Sequence, residues 1–88
     1  MEIEFSDQAL KDLKYWKKTR NLKTQRRISD LLIAITASPF EGVGNPEKLK
    51  HQLTGYWSRK ITKEHRIVYL PMIEKNTIIV ISLRFHYS

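Results

Sequence analysis

The chain has 88 residues and no cysteine, and its 16 Lys and Arg against nine Asp and Glu give a formal net charge of +7. That length is enough for one compact domain and too short for two, so residues 1–88 are taken as a single domain. The lack of cysteine excludes a disulfide framework and a zinc site built on thiolates, and the positive charge predicts attraction to polyanions.

The chain opens with a predicted strand and a predicted helix. Ile3 and Phe5 alternate with glutamates, a pattern typical of a short strand. Ser6 is a suitable N-cap, and apolar residues recur after it at helical spacing, which predicts a helix from about Asp7 to Lys18. The start lacks the features of a secretory signal, and no apolar run approaches the ~20 residues that span a bilayer. We therefore expect a cytoplasmic location.

A second helix is expected from a cap at Asn21 to about Ala37. Pro39 ends it, because the residue before a proline avoids the helical conformation. The two helices should lie antiparallel, joined by a short basic turn. The buried stripe of the second helix is predicted to consist of Leu22, Ile28, Leu31, Leu32 and Ile35.

The second half of the chain is predicted to be a loop followed by strands. Residues 40–54 contain two glycines and Pro46, so we expect an irregular loop with one helical turn around Glu47 to Lys50. Short turns between the strand candidates that follow predict an antiparallel meander. Pro71 should end its strand or lie at a sheet edge. The candidates are Tyr56 to Ile61, His65 to Leu70 and Thr77 to Phe85.

This order of elements predicts an α+β domain in which two N-terminal helices pack on one face of a mostly antiparallel sheet. The other face is then open to a ligand. Alternation along the last strand divides its residues between the two faces. We expect Ile79, Ile81, Leu83 and Phe85 to be core, and we expect the other face to carry Val80, Ser82, Arg84 and His86.

Several ionisable residues in the C-terminal half match the needs of RNA cleavage without a metal ion. The attacking 2′-hydroxyl needs a base, the phosphate a cation and the departing 5′-oxygen an acid. At neutral pH an ordinary Glu (pKa ~4.3) is ionised and a His (pKa ~6.5) can still donate a proton. No metal-ligand spacing or phosphate-binding glycine loop is present. The candidates are Glu47, Lys50, His51, Arg59, Lys60, His65, Arg66, Arg84 and His86.

The residue pattern alone leaves these roles open. Glu47 is more simply a solvated loop carboxylate, and His65 a packing or hydrogen-bonding residue. Tyr56 and Trp57 could stack on RNA bases or pack in the core. The net charge also fits a non-catalytic nucleic-acid-binding module, such as a repressor subunit, or a basic surface that serves only solubility.

Four blocks of the sequence resemble the YoeB-type toxins of the RelE/ParE superfamily. They occur in the family's order, and with the paired helices upstream the resemblance covers essentially the whole chain. The blocks are Ser38 to His51, Leu53 to Thr62, Glu64 to Tyr69 and Arg84 to Tyr87.

The resemblance implies a RelE-like microbial ribonuclease fold and a toxin of a type II toxin–antitoxin system. Such toxins bind the ribosome and cleave mRNA in its decoding site, without metal or cofactor, by way of a 2′,3′-cyclic phosphate. An antitoxin with an acidic, initially disordered C-terminal segment holds them inactive, and the toxin–antitoxin complex represses its own operon. Operator DNA is thus expected as a partner only within that complex, a homodimer is a further assembly to consider, and no membrane partner is expected.

The family's functional residues can be carried over position by position. Glu47 matches the general base and Arg66 the arginine that stabilises the phosphate. His86 matches the general acid and Tyr87 the neighbouring tyrosine that helps to position substrate. Phe85 departs from the family, in which a tyrosine is common at this place. The basic surface that faces RNA is expected to include Lys50, His51, Arg59, Lys60 and Arg84.

Overall fold

The structure, a computed structural model, describes residues 1–85. It contains β1 (Glu2–Phe5), α1 (Asp7–Thr19), α2 (Leu22–Ala37), β2 (Glu47–Lys48), β3 (Trp57–Lys60), β4 (Arg66–Met72) and β5 (Thr77–Ser82), with 3₁₀ turns at His51–Leu53 and Ile73–Lys75. The five strands form one sheet in the order β1-β5-β4-β3-β2. The two helices pack against it, which confirms the predicted α+β architecture.

Both helices begin where their capping residues predict. Ser6 Oγ accepts a hydrogen bond from the Ala9 N–H at 3.1 Å, and Asn21 Oδ1 accepts one from the Thr24 N–H, also at 3.1 Å. Between the helices, Arg20 adopts a left-handed conformation with a φ of 57° and reverses the chain. Within residues 1–85, neither helix has the length and apolar character needed to cross a bilayer.

The sheet combines the predicted meander with a parallel edge. β3, β4 and β5 pair antiparallel in sequence, whereas β1 pairs parallel with β5. Pro71 lies in β4 beyond the last pair that this strand makes with β3, Trp57 with Tyr69. At that position β4 has a neighbour on one side only, which confirms the edge environment expected for a proline.

The segment at Glu47 corrects the sequence prediction. We expected a helical turn from Glu47 to Lys50, but residues 47–48 form strand β2 beside β3. The helical turn lies farther along, at His51–Leu53. Helix nucleation is unfavourable in so short a segment, whereas the edge of β3 offers partners to the backbone N–H and C=O groups at once.

The core lies between the helices and the sheet, and α2 supplies much of it. Ile28, Leu31 and Ile35 are buried as predicted, but Leu22 is 73% exposed. The prediction for Leu22 is wrong because this residue begins α2 at the end of the hairpin. The buried stripe of α2 starts instead at Thr24, which is 6% exposed.

For residues 79–81, the faces of β5 are the reverse of the predicted assignment, whereas Ser82 lies on the side away from the helices as predicted. Val80 lies fully buried in the core together with Ile78, whereas Ile79 and Ile81 are half-buried on the other face. All four are apolar, so their alternation could not distinguish the faces. A bulge in the pairing with β4 also leaves Ile81 without a directly opposite residue. The register therefore shifts before Leu83, which is buried as predicted.

Candidate active site

One side of the sheet faces away from the helices, and the strand registers place Glu47 there. Directly paired residues on neighbouring strands share a face. Tyr69 and Val80 are paired and fully buried in the core, so their face is the helix side. The adjacent row lies on the opposite side, which we call the open face because neither α1 nor α2 covers it; Glu47 is exposed there, whereas the other three members are buried. This row consists of Glu47, Ser58, Val68 and Ser82.

Arg66 also lies on the open face. It precedes Val68 by two residues on β4 and pairs with Lys60 on β3, so all three share one side. Glu47 is two strands away from Arg66. With strands about 4.8 Å apart and a rise of about 3.4 Å per residue, their Cα atoms lie roughly 12 Å apart. At that distance a carboxylate and a guanidinium can contact the same nucleotide from opposite sides.

Three buried polar atoms near the start of β4 and the end of β5 have no hydrogen-bond partner within residues 1–85. They are Arg66 Nη1, Ser82 Oγ and Arg84 Nε. Arg66 begins β4 and Ser82 ends β5, so antiparallel pairing brings both to the same end of the sheet. A buried donor without a partner costs about 1–3 kcal/mol. An acceptor-rich ligand such as a phosphate group would remove that cost.

Four of the predicted site residues are exposed. Glu47 lies on the edge strand β2, and Lys60 lies beside Arg66 on the open face. Lys50 and His51 follow β2 in the loop that leads to β3. The open face therefore has a carboxylate on its edge strand and a lysine beside Arg66, while two further basic residues are exposed in the loop after β2.

Arg84 is half-buried against aromatic rings. Its guanidinium carbon lies 3.5 Å from the centroid of the Tyr15 ring on α1 and 4.7 Å from that of Phe85. Such stacking holds a guanidinium in one plane. The side chain expected to face RNA is therefore positioned by α1, with its Nε still unpartnered among the described residues.

Arg59 does not face RNA. It is 0% exposed and pairs with Ile67 on the helix side of the sheet. Its guanidinium donates hydrogen bonds to the Tyr69 hydroxyl and to the carbonyls of Ser38, Glu41 and Val43. The predicted RNA contact is wrong, because this charge is buried and compensated by protein oxygens. Arg59 instead holds the loop of residues 38–44 against the sheet.

Gly44 closes the same loop over β3. Its φ of +91° disfavours any side chain, and a Cβ there would lie 2.7 Å from Leu31 Cδ2 and 3.1 Å from Arg59 Cβ. Its carbonyl accepts the Lys60 N–H at 2.7 Å. The chain therefore reaches Glu47, three residues later, from a point fixed by both the core and β3.

Tyr69 completes the buried network. Its hydroxyl donates to the Pro39 carbonyl at 2.7 Å and accepts from Arg59 Nε at 3.1 Å. Burial raises the pKa of Tyr69 above its ordinary value of 10.0, although the hydrogen bond and the charge of Arg59 act in the opposite direction. The phenol therefore stays protonated at neutral pH and remains a donor to the loop.

Tyr56 and Trp57 could either stack on RNA bases or pack in the core, and Trp57 packs in the core. It is partly buried against the core, and its ring centroid lies 5.1 Å from that of Phe40. Lys48 Nζ lies 5.9 Å from the Trp57 ring centroid. Tyr56, just before β3, is half-buried. Trp57 thus helps to hold the 38–44 loop against the sheet.

The chain after β5 is fastened to α1 through Leu83. The Leu83 N–H donates to Asp12 Oδ2, and the Leu83 carbonyl accepts from Trp16 Nε1, both at 2.8 Å. Asp12 is 2% exposed, and its Oδ1 accepts from Gln8 Nε2 at 2.9 Å. Asp12 was not among the residues predicted from the sequence. The available signal was a carboxylate within the apolar stripe of α1, one turn before Trp16.

Two residues farther on, Phe85 is bonded to the start of β4. Its N–H donates to His65 Nδ1 and its carbonyl accepts the Arg66 N–H, both at 2.8 Å. The expectation that His65 is a packing or hydrogen-bonding residue is confirmed. Phe85, predicted to be core, is 61% exposed because the strand has ended before it. His86 and Tyr87, the predicted general acid and its neighbour, follow directly and lie outside the described residues.

Known proteins are similar in sequence to this chain over nearly its whole length. Residues 5–87 match the family described as "YoeB-like toxin of bacterial type II toxin-antitoxin system". The full chain is 44% identical to Toxin YoeB of Synechocystis sp., of which it covers 99%.

Solved structures share the fold. A YoeB/ParE toxin from Agrobacterium tumefaciens has a TM-score of 0.92 and 37% identity, with 99% of this chain and 100% of that chain covered. A YoeB–YefM complex and a YoeB dimer, both from Staphylococcus aureus, have TM-scores of 0.85 and 0.86 and identities of 44% and 43%, with 99% of this chain and 98% of theirs covered. These likenesses confirm the predicted RelE-like fold.

Proposed function

Because the chain belongs to the YoeB-like toxins of bacterial type II toxin–antitoxin systems, we propose that it is a cytoplasmic, ribosome-dependent endoribonuclease that cleaves mRNA without a metal ion or cofactor. The observation that carries the proposal is the open face of the sheet. There an exposed carboxylate, Glu47, and a buried guanidinium atom without a partner among residues 1–85, Arg66 Nη1, flank one surface.

The proposed reaction is an internal transesterification. Glu47 removes the proton of a ribose 2′-hydroxyl, and the 2′-oxygen attacks the adjacent phosphorus. Arg66 donates to a nonbridging phosphate oxygen, where charge accumulates in the transition state. The bond from phosphorus to the 5′-oxygen breaks, and His86 protonates that oxygen, with Tyr87 beside it positioning substrate. The products are a 5′-hydroxyl and a 2′,3′-cyclic phosphate, which water then opens to a 3′-phosphate.

Charge supports substrate binding in this proposal. The net charge of +7 attracts RNA; Lys60 lies on the open face, and Lys50 and His51 are exposed in the loop after β2. Such contacts bind phosphates without regard to sequence. Positioning of the mRNA for cleavage is therefore assigned to the ribosome, which is the reason that activity should depend on it.

An antitoxin is the proposed protein partner. A toxin of this family in Staphylococcus aureus has been solved as a YoeB–YefM complex. We propose that a cognate antitoxin with an acidic C-terminal segment covers the basic surface here, because opposite charge favours that association. We expect binding to operator DNA only from the toxin–antitoxin complex. A second copy of the chain is proposed as a further assembly, in parallel with the Staphylococcus aureus YoeB dimer.

The test is cleavage of an mRNA on purified ribosomes, with free mRNA as the comparison. Glu47→Gln, Arg66→Ala and His86→Ala should each reduce cleavage by roughly 10²–10⁴-fold, because each removes one acid, base or electrostatic role. Lys23→Gln, on the exposed side of α2, serves as the control for loss of charge.

The alternative is a non-catalytic nucleic-acid-binding module. It predicts binding that weakens steeply with salt and no cleaved product under any condition. Cleavage that persists at wild-type level in all three folded variants would refute the catalytic assignment.

A further inference from the structure

The chain between β5 and His86 is held at four points by groups far away in sequence. Asp12 and Trp16 bind the N–H and the carbonyl of Leu83. His65 Nδ1 and the Arg66 N–H bind the N–H and the carbonyl of Phe85. We call the side chains of Asp12, Trp16 and His65, together with the Arg66 N–H, the C-terminal clamp. It leaves both peptide groups that flank Arg84 bonded to the folded body.

Phe85 is held in a conformation that it would not adopt unaided. Its φ is +59°, in the left-handed region that an aromatic residue rarely enters. Its side chain is 61% exposed, so burial of the ring contributes little to holding it there. Such a conformation persists only where the surroundings determine it. Here the Phe85 N–H and carbonyl are each bonded, to His65 and to Arg66.

His65 supplies the side-chain part of that restraint, and its own ring is fixed. It stacks edge-to-face on Trp16 with centroids 5.0 Å apart and an interplanar angle of 89°. It also contacts the Phe85 ring at 5.5 Å. Because Nδ1 accepts the Phe85 N–H, it carries no proton, and the proton of the neutral ring resides on Nε2. The Trp16 ring is in turn bonded to Leu83.

We propose that His65 is a positioning residue of the ribonuclease site. Its acceptor nitrogen holds Phe85 in the left-handed conformation and thereby sets the direction in which the chain enters His86. This inference rests on the proposed function, in which His86 protonates the departing 5′-oxygen. An error of about 1 Å in the placement of a reacting group can cost roughly 10²-fold in rate. His65 contacts no substrate in this role and acts through the backbone of Phe85.

Two substitutions separate positioning from packing. His65→Phe keeps an aromatic ring against Trp16 and Phe85 but has no acceptor for the Phe85 N–H. His65→Asn gives up the ring but places an amide oxygen close to the position of Nδ1. A purely structural role predicts that Phe is the better replacement, whereas positioning predicts that Asn is. Ile28→Val, in the core part of α2, is the control for a modest loss of stability.

The experiment combines steady-state cleavage of mRNA on ribosomes with hydrogen exchange of the Phe85 amide. We expect His65→Phe to lower kcat roughly 10- to 100-fold with KM changed by less than about twofold. His65→Asn should recover most of that loss, and Ile28→Val should behave as wild type. The Phe85 amide should be protected from exchange in wild type and in His65→Asn, and should exchange faster in His65→Phe.

Wild-type kcat in folded His65→Phe would overturn the proposal, and so would an equal loss in the Asn and Phe variants. Unchanged protection of the Phe85 amide in His65→Phe would overturn it as well. An inactive wild-type protein is a different result, because it refutes the ribonuclease function itself. The exchange measurement needs no activity, so the two failures can be told apart.

Discussion

The two faces of the sheet both carry buried polar side chains, but they differ in how completely the hydrogen-bonding groups of those side chains are satisfied. On the helix side, Arg59 and Tyr69 donate to loop carbonyls, and Arg59 also donates to the Tyr69 hydroxyl. On the open face and just beyond β5, Arg66 Nη1, Ser82 Oγ and Arg84 Nε have no partner among the described residues. Arg59 is thus part of the scaffold, whereas the unpartnered Arg66 Nη1 supports the proposal that this side chain binds a ligand.

The largest effect on stability is expected from Arg59→Met. The substitution leaves three loop carbonyls and the Tyr69 hydroxyl without their donor in a buried setting. Each buried oxygen that loses its donor costs about 1–3 kcal/mol, so the four losses together should cost at least about 4 kcal/mol. Urea denaturation should show this loss in the free energy of unfolding. Lys60→Met, at an exposed neighbouring position, should stay within about 0.5 kcal/mol of wild type.

Arg66→Met should leave stability intact and reduce cleavage. Because it removes a donor that has no partner in residues 1–85, stability should be unchanged or higher by up to about 1 kcal/mol. Cleavage on ribosomes should fall at least about 10²-fold, since the phosphate loses its cation. Arg26→Met, exposed on α2, provides the charge-matched control. A marked loss of stability in Arg66→Met would show that both arginines are scaffold.

Gly44→Ala should lower the free energy of unfolding by about 2–4 kcal/mol, since strain at positive φ adds to overpacking. Its new Cβ would lie 2.7 Å from Leu31 Cδ2. Gly55→Ala is a matched control, because Gly55 has a φ of +97° but nothing nearer than Leu70 Cδ1 at 3.8 Å. That variant should lose only about 1 kcal/mol. Equal losses in thermal unfolding would show that the loop does not press on α2.

The smallest effect is expected from Tyr69→Phe, at about 1–2 kcal/mol near neutral pH. It also has a pH signature. Because the pKa of folded Tyr69 is raised above 10.0, its contribution is complete below that pH and is lost as the pH rises through the folded value. The difference in unfolding free energy between wild type and Tyr69→Phe should therefore shrink in strongly alkaline solution. A constant difference from about pH 8 to pH 12 would contradict this.

The sequence predicted the regular elements better than the roles of individual polar residues. Local signals at Ser6 and Asn21 fixed both helix starts, and the turns fixed the meander. The faces of β5 were predicted wrongly, because residues 78–81 are all apolar and a bulge shifts the register. Arg59 was predicted wrongly for a related reason: nothing local distinguishes an arginine that will be buried under a distant loop from one that faces solvent.

The candidate site also depends on how strands distant in sequence pair with one another. The sequence could nominate Glu47 and Arg66 by chemistry and resemblance, but it assigned Glu47 to a helical turn. Only the formation of β2 and its pairing with β3 places that carboxylate in a row with Val68, two residues from Arg66. Asp12 was missed because its partner, Leu83, lies 71 residues away.

The parallel pairing of β1 with β5 determines when the protein can fold during its synthesis. Ser6, Asp12 and Trp16 bond to residues 67 to 75 positions later in the chain. Contacts of such long separation form late, because the intervening chain must first be available. A growing polypeptide that lacks β5 cannot pair β1 into the sheet and cannot hold the segment from Leu83 to Phe85. A protein proposed to cleave mRNA on ribosomes is thus assembled only after β5 has been synthesised.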